Sequence, residues 1–168
     1  MKHIFILFIL VITITSLGPM PSPASAAQSE DAPFFFSTMT HMEGGHFDDR
    51  DQQMFLRHVN LLRHGIELAD EYAAKLTIES EQPFARANTI WGINMMQEIV
   101  DRGHGVGTHC DFGFRDSLMS VEEYAAYFTE NKQLVDDLVG AENNRGCSGS
   151  GSVNDYVLAA AMSGFDYI

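Results

Sequence analysis

Residues 102–113, RGHGVGTHCDFG, constrain this chain more than any other stretch. Asp101 and Arg102 close an amphipathic run, and Gly103 stands where a helix-terminating glycine belongs. Gly105, Val106, Gly107 and Thr108 are small or β-branched and suit a tightly packed strand. His109, Cys110 and Asp111 then fall at that strand's C-terminal end. In α/β proteins this is the end where ligands and catalytic groups collect. The spacing therefore predicts a helix, a buried strand and a functional loop, with His109 as the leading candidate side chain.

The flanking sequence repeats the same unit. Residues 33–40 (PFFFSTMT) form a continuous apolar run of strand length, followed at its C-terminal end by His41, Met42, Glu43, Gly44 and Gly45. His41 and Glu43 are two apart and share a face on an extended chain. Phe55, Val59, Leu62, Ile66, Ala69 and Ala73 make one apolar stripe on a helix over 50–74. KLTIES, 75–80, predicts a second strand, and Pro83 breaks the chain before a helix over 87–102 that turns Ile90, Ile93, Met96, Ile99 and Val100 inward. Ser120 and Glu123 spell a capping box for a helix carrying Tyr124, Phe128, Leu134, Val135 and Leu138, and Gly140 ends it. A fourth strand is expected in 141–147 (AENNRGC), then a glycine-serine loop over 148–152 and a short helix over 154–163 stopped by Gly164. A fifth strand is expected to start at 165–168. Alternating strands and helices argue for a parallel sheet. Two closures compete, a doubly wound open sheet of five strands and a (β/α) barrel. A barrel takes about 250 residues, so this chain would supply about four βα units plus the start of a fifth strand.

Residues 1–26 have the pattern of a secretory signal: Lys2, an apolar run over 4–17, Pro19, Pro21 and Pro23, then Ala24-Ser25-Ala26 as a small-x-small cleavage site. The apolar run is short for a span of about 20 residues. The expectation is cleavage and a secreted or periplasmic product without a stable membrane anchor. A polar leader, 27–32, precedes one domain over 33–168. Loss of Lys2 takes the net charge from −13 to −14. An acidic exported chain repels nucleic acid, and none is expected as a partner. An oxidising compartment permits a disulfide between Cys110 and Cys147. Neighbouring parallel strands lie about 4.8 Å apart, within a disulfide's Cα range of about 4.4–6.8 Å. Cys110 follows an inward-pointing His109 and should face outward. The bond and two free thiols both remain open.

Three motifs in order resemble those of the NodB-homology polysaccharide deacetylases, distorted (β/α) barrels that hold a divalent metal through one acid and two histidines. Gly103-His104-Gly105-Val106-Gly107-Thr108-His109 is similar to the family's Gly-His-Glu-Ile-Gly-Asn-His. That resemblance implies His109 as a metal ligand. The family's next histidine falls on Gly113, so Asp111 is the substitute the resemblance leaves. Thr40-His41-Met42-Glu43-Gly44 lines up with Thr-Phe-Asp-Asp-Gly and puts Glu43 in the place of the metal aspartate. Met42 falls on the catalytic base, and His41 is the candidate replacement. Arg145-Gly146-Cys147-Ser148-Gly149 keeps the arginine and final glycine of Arg-x-Pro-Tyr-Gly, which nominates Arg145 and Ser148 as catalytic residues. The resemblance implies a partial deacetylase-type barrel. It also implies an exported zinc-dependent hydrolase that removes N-acetyl groups from a carbohydrate, acting on C–N bonds other than peptide bonds.

The residues support related chemistry without the resemblance. Imidazole and carboxylate suit a borderline divalent cation such as Zn2+. His41, Glu43, His109 and Asp111 all stand at strand ends that converge on one rim of a parallel barrel. His104 reads as a structural helix-end histidine, His46, His58 and His64 as solvated, and Asp48, Asp49 and Asp51 as helix-start acid. Two other functions fit parts of the sequence. The loop over 146–152 suits a phosphate or sugar-phosphate binding module, although the lysine of a P-loop is absent. Met42 and Gly113 suit a catalytically inactive carbohydrate-binding barrel.

Overall fold

Four strands lie parallel in the order in which the chain makes them, β1 (Thr38–Met42), β2 (Leu76–Ser80), β3 (Gly105–His109) and β4 (Cys147–Ser148). The computed structural model describes residues 37–111, 117–149 and 153–168, all within the unit Phe36–Ile168. The expected signal, the polar leader, the start of the first strand at 33–36, Gly113 and the loop tip at 150–152 lie outside the described residues.

Sequential order decides between the two closures. Parallel crossovers are right-handed, so a sheet that never reverses direction carries all its helices on one face. A doubly wound sheet reverses at a switch point and covers both. Here Met42, Ile78 and Val106 of the strands share one core with Phe55, Val59, Ile66, Phe84, Met96, Ile99 and Val135 of the helices. The result is an α/β fold with a curled, half-barrel parallel sheet backed by five described helices. The register sets His41 beside Glu79 and Glu79 beside Gly107. His109 is beside Ser148. Alternation then sends Glu43, Glu81 and Asp111 to the same, helix-free side as these residues.

Helix α1 (Gln52–Glu71) starts where Asp51 accepts a hydrogen bond from Met54 N at 3.1 Å, and it buries the expected stripe from Phe55 to Ala69. Ala73 falls beyond its end, exposed, at φ 52°. The helix expected over 87–102 is two helices, α2 (Gln82–Ile90) and α3 (Met95–Asp101). Pro83 sits in the first turn of α2, where its missing N–H costs nothing. The break falls at Gly92, at φ +71°, and at Asn94, which caps α3 by accepting from Gln97 N at 2.9 Å, and it is braced from the preceding helix by Asn88. The buried Asn88 amide bonds Phe84 O, while its Oδ1 accepts from Met95 N at 2.6 Å and Met96 N at 3.3 Å. Ile90 consequently faces solvent rather than the core.

Gly103 ends α3 as expected, at φ +73°. Its N–H reaches Val100 O at 2.8 Å and His104 N–H reaches Ile99 O at 3.1 Å, the paired bonds of a Schellman motif. Ser120 and Glu123 form the full capping box of α4 (Val121–Val139). Tyr124, Phe128 and Val135 are buried, and Leu134 and Leu138 pack against the core from its edge. Strand β4 is only two residues. Residues 141–143 form a turn, because Asn144 leaves the chain to bond Thr108 Oγ1, Lys132 O and Asp136. Helix α5 (Tyr156–Met162) is capped by Asp155. The expected fifth strand is present as one parallel bridge, Gly146 to Tyr167. Among the described residues no helix is long and apolar enough to cross a membrane.

Candidate metal centre

The C-terminal ends of β1, β2 and β3 bring two histidines and three glutamates together. The rings of His41 and His109 stack with centroids 3.9 Å apart and planes 21° from parallel. His109 Nε2 lies 3.5 Å from Glu43 Oε1 and 3.8 Å from Glu81 Oε1. On its other side, His109 Nδ1 lies 3.9 Å from Glu79 Oε2 and 3.4 Å from Ser148 Oγ. His41 Nδ1 is 3.7 Å from Glu43, and its Nε2 is 3.6 Å from Glu79. Two triads, His41–Glu79–His109 and Glu43–Glu81–His109, each offer three ligand atoms within 4.8 Å of one another. Imidazole and carboxylate donors at this closeness fit a divalent cation such as Zn2+.

The sequence builds this crowding locally. Gly44 passes so close to Glu81 that a Cβ there would collide with the carboxylate, and its backbone N–H donates to Glu81. Gly107 is bare where the Glu79 side chain crosses it, a built Cβ lying 3.1 Å from Glu79 Cγ. From the helix side, buried Asn131 of α4 donates to Ser80 O at 3.2 Å and His109 O at 2.7 Å, holding the ends of β2 and β3 together. Cys110 and Cys147 form a disulfide with Cα atoms 6.0 Å apart. Both sulfurs lie among Tyr124, Phe128 and Ala159, on the face opposite His109. Cys147 is level with Thr108 rather than with Cys110, so the bond runs diagonally between strand ends.

Electrostatics reflect an excess of carboxylate. Burial, reinforced by the neighbouring Glu43 and by Asp111, pushes the Glu81 carboxyl up to about 7 against the hydrogen bond from Gly44. Burial also raises Glu79, opposed by the Ser148 hydrogen bond and by His41. Burial and the adjacent His41 ring pull His109 down, against Glu43 and Asp111. A neutral imidazole is the form that ligates a metal.

Of the residues nominated by sequence, His41, Glu43, His109 and Ser148 meet in this cluster. Asp111 stands at its margin, close enough to influence Glu81 and His109 electrostatically. Arg145 does not join them; its guanidinium pairs with Asp166 beside the Tyr167 bridge. Met42 is buried against the helices, on the far face from the cluster. Glu79 and Glu81 carry much of the site, and sequence reading passed over them. The signal was present: KLTIESE places carboxylates at alternate positions across a strand's C-terminal end, the same rule that picked out His41 and Glu43.

Three other expectations resolve here. His104 is structural, its Nδ1 accepting from Leu76 N at 3.2 Å and its Nε2 lying 3.2 Å from Asp70. His58 is not solvated; it bonds buried Asp48 at 2.7 Å, which Trp91 Nε1 holds through the Asp48 carbonyl at 2.9 Å. His58 also lines, with His41, His46, Leu61 and Ile78, an open cavity of about 310 Å³ beside β1. Asp49 pairs with Arg86 and Asp51 caps α1, so these acids are structural. No family model, curated protein or solved structure matches the chain.

Proposed function

We propose that the chain is a metal-dependent hydrolase of the polysaccharide deacetylase type, which removes N-acetyl groups from a carbohydrate. The observation that carries the reading is His109, held between carboxylates on both of its ring nitrogens at the C-terminal rim of a parallel sheet. The motif similarity of residues 103–109 supplies the substrate class. Glu43, Glu79, Glu81, His41 and His109 are the donors that would hold a divalent cation, which would supply a bound water with a pKa of about 7 and a Lewis acid for an acyl carbonyl.

His41 is suited to take the proton of the attacking water. It is partly exposed, its Nδ1 faces Glu43 and its Nε2 faces Glu79. Either carboxylate stabilises the imidazolium that forms. Ser148 orients the pair from β4, bonding Glu79 and lying 3.3 Å from His41 Nε2. Glu79 and His109 are almost fully buried, which strengthens each charge interaction at the site.

The test is zinc content together with acetate release from an N-acetylated oligosaccharide. Stoichiometric zinc with acetate release supports the hydrolase. Zinc without release favours the inactive carbohydrate-binding barrel, for which buried Met42 in the base position is the favouring observation. Absence of both sinks the metal reading.

A further inference from the structure

Two triads compete for one histidine, and they use different nitrogens of it. The His41–Glu79 side faces Nδ1 of His109, and the Glu43–Glu81 side faces Nε2. A single cation must choose between them. Resting on the metal-dependent reading above, we propose that the cation is held by Glu43, Glu81 and Nε2 of His109. Glu79 and Ser148 are positioning residues that keep the proton on Nδ1.

Proton accounting carries the choice. A serine hydroxyl has one hydrogen and two lone pairs. Ser148 Oγ–H donates to Glu79 Oε2, a group that can only accept. The hydroxyl's lone pairs are then left to accept from ring N–H groups, and His109 Nδ1 at 3.4 Å and His41 Nε2 at 3.3 Å are the two in reach. A proton on Nδ1 of neutral His109 leaves a bare lone pair on Nε2, and that lone pair faces Glu43 Oε1 and Glu81 Oε1. With Glu81 ionised, the form that ligates a cation, every atom of that triad is an acceptor. Three acceptors within 4.8 Å, with no hydrogen among them to share, are satisfied by a cation.

The Glu79 side is the reverse, since its carboxylate already has a donor in Ser148. Glu81 is prepared in a matching way. Gly44 N–H holds the carboxylate from the side a Cβ would otherwise occupy, where Oε2 is the nearest atom, and Oε1 is the oxygen turned to His109. Carboxylate-supported histidine is the usual second layer around a metal, where it fixes the tautomer and orients the ring.

The experiment uses the full chain with its disulfide intact. Zinc affinity is measured by chelator competition for the wild type, Glu81→Gln and Ser148→Ala. Long-range 1H–15N spectra of the zinc-loaded wild type report which nitrogen of His109 is metallated. The expected result is Nε2 metallated and Nδ1 protonated, with Glu81→Gln weakening zinc at least 100-fold. Ser148→Ala should weaken it about 10-fold, in the range for outer-layer partners. It should also alter the Nδ1–H resonance. Metallation at Nδ1, or wild-type affinity in Glu81→Gln, overturns this assignment and moves the cation to the Glu79 side while the metal reading survives. Unchanged affinity and an unchanged Nδ1–H signal in Ser148→Ala overturn the positioning role. A wild type that binds no zinc overturns the metal reading itself. The wild-type spectrum decides the nitrogen even if a variant misfolds.

Discussion

One histidine immediately precedes strand β3 and another ends it, and the two live in opposite surroundings. His104, at the N-terminal end, has a partner on each nitrogen, the Leu76 N–H on one and Asp70 on the other. Asp70 in turn takes two hydrogen bonds from Arg102, at 3.1 and 2.6 Å. Every group there has a counterpart of the opposite kind. His109, at the C-terminal end, faces Glu43, Glu79 and Glu81, with no arginine or lysine paired to it among the described residues. The carboxyls respond accordingly. Arg102 pulls Asp70 down, whereas burial pushes Glu81 up to about 7. Two buried histidines flanking one short stretch of strand thus mean different things. The first closes a network that is complete, and the second heads a set of acceptors that is not. An incomplete set costs stability, and a fold that keeps one must hold it in place by other means.

Those other means lie behind the sheet. The Cys110–Cys147 disulfide supports only the His109 end of β3. Replacing both cysteines with alanine should give the largest loss of stability, about 4 kcal/mol for a separation of 37 residues on the chain-entropy model. The same variant should lose zinc affinity, because β4 carries Ser148 to the site. Denaturant unfolding and chelator competition measure both. If stability falls while zinc affinity stays at the wild-type value, the bond supports the fold alone and the proposed link to the site is wrong.

The histidines themselves give the next effect and the sharpest form of the contrast. His109→Ala should weaken zinc at least 100-fold, about 2.7 kcal/mol. It should leave the metal-free protein close to wild-type stability, since no strong hydrogen bond is lost. His104→Ala should do the opposite. It strands the Leu76 N–H in a part-buried position, costs about 1–3 kcal/mol of stability and leaves zinc affinity within about threefold. Unfolding and zinc titration of both variants form a two-by-two comparison. Equal losses of stability in the two would erase the distinction between the two ends of the strand.

What the sequence revealed, it revealed where the cause was local. The stripe of α1, the capping box of α4 and the glycine stop before β3 depend on residues a turn apart, and each is where the spacing puts it. Gly92, at φ +71°, and the cap Asn94 split what periodicity joins, with Asn88 bracing α3 from the previous helix. Elsewhere a distant side chain intervened. Asn144 bonds Thr108 and Lys132, so the residues before β4 turn instead of pairing. The site divides the same way. His109 and His41 were legible as strand-end residues. Glu79 and Glu81 show the same strand-end alternation in KLTIESE, but their meeting with His41 and His109 depends on β2 lying between β1 and β3, an order set by the whole chain. Arg145 lies apart from the cluster, paired with Asp166, a residue that reaches it only through the bridge following α5.

The smallest expected effect tests the satisfied end through its pH dependence. Hydrogen bonds from Arg102 are the largest influence holding the Asp70 carboxyl below the usual carboxylate range, with a smaller contribution from His104. The unfolded chain has no such partner and binds its proton first as pH falls, near the ordinary aspartate value of about 3.9. A depressed folded-state pKa contributes stability that is present above that value and is lost as pH falls through the folded one. The contribution of this pair should therefore be intact at pH 6 and diminished at pH 3. Arg102→Met removes the donor and should narrow the stability difference between those two conditions. The change should be slight, because Asp70 is exposed enough for solvent to screen the pair. Glu98 also senses Arg102, but Arg63 is its main partner and remains in the variant. Urea unfolding at pH 6 and pH 3, for wild type and variant side by side, measures the quantity. Identical acid sensitivity in both would mean that Arg102 and Asp70 do not interact in solution.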